Sequence, residues 1–132
     1  MTVHTLPDVT AAPHSPAEVL NPVDVEHNIQ IVSNRIANGV SVITKAEKEA
    51  RSKRRAFDLA YAHAYKAASD EPAHQRKYSA EIVAMPHREA AEVAEIAFHH
   101  AERTGKALER ELFAWQSILN SVRAMYNTAG AR

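Results

Sequence analysis

Val25, Ile29, Val32, Ile36, Gly39, Ile43, Ala46, Ala50, Lys53, Phe57, Ala60, Ala64 and Ala67 follow one another at steps of four and three residues without a break. All but Lys53 are apolar or small, and this spacing keeps one stripe of a helix against a partner helix. A second run alternates in the same way: Lys77, Ala80, Ala84, His87, Ala91, Ala94, Phe98, Ala101, Gly105, Leu108, Leu112, Trp115, Leu119, Val122 and Tyr126. The pattern predicts an all-α fold, a long antiparallel two-helix hairpin of coiled-coil type. The first helix spans 22–69, starting at Asn21 as N-cap with Pro22 at the first helical position and Asp24 at the positive end of the dipole. The turn is Ser69-Asp70-Glu71-Pro72. The second helix spans 73–127, with a kink near Pro86, which removes a hydrogen bond to the Ile82 carbonyl at a cost of ~3 kcal/mol. Residues 128–132 form a frayed tail. A competing reading breaks the first helix near Gly39 and restarts it at Lys45, with Thr44 and Glu47 as a capping box.

Folding back at residue 72 makes facing residues carry numbers that add to about 144. Side-chain sizes support that register. Gly39 then faces Gly105, Ala46 faces Phe98, Ile43 faces Ala101, Phe57 faces His87, and Ala60 and Ala64 face Ala84 and Ala80. Large meets small, and the opposed glycines would let the backbones approach closely, which favours one continuous first helix. At the open end Val32 meets Leu112, Ile29 meets Trp115 and Val25 meets Leu119. Phe57, Phe98, Leu108, Leu112, Trp115 and Leu119 are the residues expected to carry the fold.

Composition agrees with a thin helical core: 25 of the 132 residues are alanine, 3 are glycine and 6% are aromatic. Residues 1–21 contain Pro7, Pro13 and Pro16 and no periodic pattern. They read as a flexible Pro-rich arm without the basic start and apolar core of a secretory signal. No stretch approaches the ~20 apolar residues of a membrane span, so no membrane partner is expected. Sixteen Lys and Arg balance sixteen Asp and Glu, which gives the chain as a whole no pull toward a polyanion. With no cysteine, a disulfide scaffold, a thiolate metal site and a cysteine nucleophile are all excluded.

The run Lys45–Arg55 holds six positive charges. Its facing stretch holds Glu89, Glu92 and Glu95, so Lys48, Arg51 and Arg55 are expected to pair across the hairpin. The alternative is a phosphate contact through Lys48, Arg51, Arg54 and Arg55, helped by Tyr61, Tyr65 and Tyr78 interleaved with Lys66, Arg76 and Lys77. Asp70, Glu71 and Glu81 offset that charge. His99 and His100 with Glu95 and Glu102 form a loose cluster that is read as solvated surface, and no metal or cofactor is expected. There is no nucleophile elbow, no glycine-rich phosphate loop and no carboxylate pair in a cleft, so no catalytic residue is assigned and the chain is read as non-enzymatic. Apolar residues remain after the seam is filled: Leu59, Tyr61, Tyr65, Tyr78, Ile82, Val83 and Met85 near the turn, and Ile31, Phe113, Ile118 and Met125 near the open end. Of these, Leu59, Tyr61, Tyr65, Ile82 and Met85 are the expected self-association residues. They would complete a helical bundle as a homodimer or larger assembly.

The segment Ala60-Tyr61-Ala62-His63-Ala64-Tyr65, then Ala68-Ser69, a short polar turn with Arg76 after it, an Ala/Glu-rich second helix and the ending Ile118-Leu119-Asn120-Ser121-Val122-Arg123-Ala124 resemble small Ala-rich helical-hairpin proteins of tailed bacteriophages. These are often encoded near early replication and recombination genes. The resemblance covers residues 50–126 and implies an accessory role by protein contact, or one assisting phage DNA metabolism, with no catalytic residues to carry over. The expectation is an interaction or assembly protein in the cytoplasm, the host's if phage-encoded. Its partners would be itself and an unidentified phage or host protein. A nucleic-acid-binding accessory factor, and a virion structural component or host-directed inhibitor, are the alternatives.

Overall fold

A computed structural model describes residues 20–130 of the chain. The arm expected over 1–21 lies outside them except for Leu20 and Asn21, and so do the last two tail residues. Two helices account for the rest, α1 (Pro22–Ala67) and α2 (Ala73–Gly130), packed against each other as a hairpin; the described residues contain no strand.

The start of α1 is built as its residues require. The Asn21 side chain accepts a hydrogen bond from the Asp24 backbone N–H at 2.9 Å and its amide donates to the Asp24 carboxylate at 2.7 Å, while Pro22 opens the helix. One orphan donor of the first turn is thereby satisfied. The helix then continues through Gly39 and Thr44 without a break. The capping box does not form, because the Thr44 hydroxyl donates back to the Val40 carbonyl at 3.0 Å, an arrangement that belongs to a helix interior.

The connection is longer than its sequence suggested, running from Ala68 to Pro72. α1 ends at Ala67, two residues before the expected boundary, and Ala68 donates its N–H to the Ala64 carbonyl. Pro72 precedes α2, where its carbonyl accepts from the N–H groups of Gln75 and Arg76. The guanidinium of Arg76 clasps the loop, donating from Nε to the Glu71 carbonyl at 2.7 Å and from Nη2 to the Ser69 carbonyl at 2.8 Å. Ser79 adds a hydrogen bond from its hydroxyl to the Glu71 carboxylate. α2 runs on through Pro86 and past residue 127 to Gly130, so the tail expected to fray from residue 128 is helical as far as it is described.

Among the described residues every buried hydrophobic residue belongs to one of the two stripes: Val25, Val32 and Ala64 on α1, and Ala80, Ala84, Ala91, Ala94, Leu108, Leu119 and Val122 on α2. The register holds at the open end, where Val25, Leu119 and Val122 form the core with Leu20, Ile29, Trp115 and Ile118 packed around them. Of the residues expected to carry the fold, Leu108 and Leu119 are buried, but Phe57, Phe98, Leu112 and Trp115 are only half-buried. A single partner helix covers one side of a large ring or side chain and leaves the other to solvent. Lys53, Ala67, Lys77, His87 and Tyr126 occupy stripe positions and are exposed. Phe57 is met by Arg88 rather than His87, with the guanidinium 5.7 Å from the ring centroid, a cation–π contact between the helices.

The opposed glycines do different work from the close approach expected of them. A Cβ on Gly105 would lie 3.0 Å from Ile43 Cδ1, whereas a Cβ on Gly39 would meet nothing within 4 Å. Gly105 makes room for Ile43; Gly39 fills no packing need. Gly39→Ala is therefore expected to raise stability by about 0.5–1 kcal/mol, the helix-propensity difference, and Gly105→Ala by less. Midpoints of chemical denaturation for the two variants check this.

Candidate interaction surface

The residues expected to mediate self-association do not form one patch. Helical spacing from the seam separates them onto two flanks of the hairpin. Phe57, Tyr61 and Tyr65 stand one turn apart on α1 as an aromatic ladder, with ring centroids 6.3 Å and 6.4 Å apart along it. Tyr61 is half-buried by its neighbours, Tyr65 is at the margin of exposure, and Met85 lies on the same flank of α2. Leu59 is on the other flank, and Ile82 points away from α1 altogether; both are well exposed, at 59% and 73%.

The basic run is likewise arranged differently from expectation. Arg51 pairs with Glu47 at 2.7 Å, Lys53 with Glu49 at 3.8 Å and Arg54 with Asp58 at 3.9 Å, all one turn apart on α1. On α2, Arg88 pairs with Glu92 at 3.9 Å. The expected pairs from Lys48, Arg51 and Arg55 to Glu89, Glu92 and Glu95 are not formed. For Arg51 a carboxylate one turn away on the same helix takes the cation, while Lys48 and Arg55 form no ion pair among the described residues. Among the described residues the ion pair that does cross the hairpin is Arg123 with Glu26, at 2.6 Å. Being half exposed, it adds at most about 1 kcal/mol.

Arg51, Arg54 and Arg55 meet Glu95, Phe98 and His99 around an open recess of about 450 Å³ between the helices. The sequence linked the two groups through Glu95 alone, and the hairpin adds Phe98 and His99 beside the arginines. Its wall carries both signs of charge. His99 is held by two carboxylates of its own helix, Glu95 at 3.6 Å and Glu102 at 3.3 Å. Among the described residues no group of three or more histidine, aspartate and glutamate side chains is placed to hold a metal ion. The opposite flank carries two adjoining recesses that share Ala97. One of about 530 Å³ lies beside Pro86 and Val93, and one of about 650 Å³ lies at the glycine rung, where Gly39 leaves space open.

The sequence reading passed over Val40, Val42, Val93 and Ile96, all more than half exposed. All four lie off the seam, so only their spacing across several turns of helix could have flagged them. Among the described residues no helix is long and apolar enough to cross a membrane. Compared with known proteins, the chain matches no protein-family model, no curated protein and no solved structure.

Proposed function

We propose that the chain is a non-enzymatic interaction and assembly protein that works through helix–helix contacts, in the accessory role implied by its resemblance to small phage helical hairpins. One observation carries this reading. Among the described residues fifteen large hydrophobic side chains are exposed, while the buried core numbers ten residues, five of them alanine. A hairpin with more large apolar groups outside than inside gains most by covering them with another helical surface. The open recesses between the helices offer no enclosed, water-excluding space of the kind that catalysis uses. The basic run is a weak phosphate surface by the same reasoning, since Glu47, Glu49 and Asp58 neutralise three of its cations.

The test is the molar mass of the purified chain, by light scattering on a sizing column, with and without a single-stranded oligonucleotide at low salt. The expected result is a dimer or larger particle that ignores the oligonucleotide and persists at moderate salt. A monomer that gains mass only with the oligonucleotide, and loses it steeply as salt rises, overturns the reading in favour of phosphate binding through Lys48, Arg51, Arg54 and Arg55.

A further inference from the structure

The two flanks of α2 differ in charge. On the flank of the aromatic ladder, the positions from Tyr78 to Asn127 at steps of three and four include eight charged residues. On the other flank the equivalent positions, starting at Ser79, Val83, Pro86, Ala90, Val93 and Ala97 and continuing to Thr128, include one, Glu111. Most of these positions are open to solvent, Val83 at 62% and Val93 at 68%; Ser79, Ala90 and Ile118 are the ones the hairpin partly covers. This is a second seam with the same seven-residue repeat as the first, turned about a quarter of the way round the helix. A helix with two solvated flanks has no reason to strip charge from one of them over fifty residues.

Resting on the assembly reading above, we infer that this second seam binds a second copy of the chain, α2 against α2 in antiparallel orientation about a two-fold axis. Self-complementarity identifies the occupant. With facing residues adding to about 190, Val93 of each copy meets Ala97 of the other, and Val83 meets Ala107. Beside this seam lie Ile82, Glu89, Ile96, Arg103 and Arg110. In the same register Ile96 meets its own copy at the axis and Glu89 meets Arg103 twice. Among the described residues neither Glu89 nor Arg103 has an ion-pair partner within its own hairpin. Arg110 of the second copy arrives level with Ile82, whose carbonyl has lost its helical donor to Pro86.

The area is sufficient. The two helices overlap for about 45 residues, or roughly 68 Å at ~1.5 Å per residue, and a strip about 10 Å wide then covers roughly 680 Å² on each copy. That is about 1,350 Å² in total, within the range of specific protein interfaces.

The experiment compares molar masses of the full chain and four variants by light scattering, with helix content followed by circular dichroism. Wild type is expected at twice the 14.6 kDa chain mass and V93E at the monomer mass, with helix content retained because residue 93 faces solvent in the hairpin. E89R and R103E each bring like charges together and are expected to weaken the dimer about tenfold, while the double variant E89R/R103E restores it. A dimer that survives V93E overturns this inference and leaves the assembly reading standing. A monomeric wild type overturns both. Charge reversals that fail to compensate overturn the antiparallel pairing.

Discussion

Leu119→Ala is expected to lower the stability of the hairpin by about 2–5 kcal/mol, with a fall in melting temperature on the order of 10 °C. Leu119 is buried in the one place where several large side chains converge: Val25 and Val122 touch it within the core, and Leu20, Ile29, Trp115 and Ile118 close round it. Truncation loses the transfer energy of three carbons and leaves a void that neighbouring rods of helix cannot collapse to fill, because each is tied along its whole length. Leu112→Ala, two stripe positions away but half-buried, should cost distinctly less. A thermal melt followed at 222 nm decides it. Equal losses at the two positions would mean that the open end is not packed as the structure has it.

Near the turn the sign of the vulnerable change reverses, and Ala84→Leu is expected to cost about 1–3 kcal/mol. Ala80 and Ala84 are fully buried, at 0% exposure, and Ala64 on the α1 stripe is buried as well. Three small residues at this level mean that backbone, not side chain, fills the space between the helices. Extra carbons must push the helices apart, and the Arg76 and Ser79 hydrogen bonds that hold the loop resist that movement. Ala62→Leu, on the exposed side of α1, serves as the control and should stay within about 0.5 kcal/mol of wild type. A denaturant midpoint for Ala84→Leu equal to that of the control would show that the helices separate freely at this end.

What was legible in the amino-acid order was the inward face. Steps of three and four residues select it whatever the partner, and so the stripes contain every buried hydrophobic residue among those described. The Asn21 cap and the turn between the helices were legible for a related reason, since they depend on neighbours in sequence. Depth of burial was not. Phe57 and Trp115 hold stripe positions as good as those of Val25 and Leu119, yet two helices alone do not surround a large ring. Pairing of Lys48, Arg51 and Arg55 across the hairpin looked favourable in register, whereas Arg51 finds Glu47 one turn along its own helix. The surface residues expected to act together were split because Leu59 and Tyr61, two positions apart, stand on opposite flanks of one helix. Proximity in sequence concealed that division.

The clasp at the turn and the ion pair at the open end also set an order of assembly. Ser79 and Glu71 are separated by 8 residues, Arg123 and Glu26 by 97. Closing the longer loop directly costs about 2 kcal/mol more in chain entropy than closing the shorter one. The helices therefore zip from the loop outward, each rung shortening the loop that the next must close. The densest apolar cluster lies where the zipper finishes, so it acts as a latch on a structure already aligned, and the thin alanine contact near the turn needs only to hold long enough for the two ends to meet.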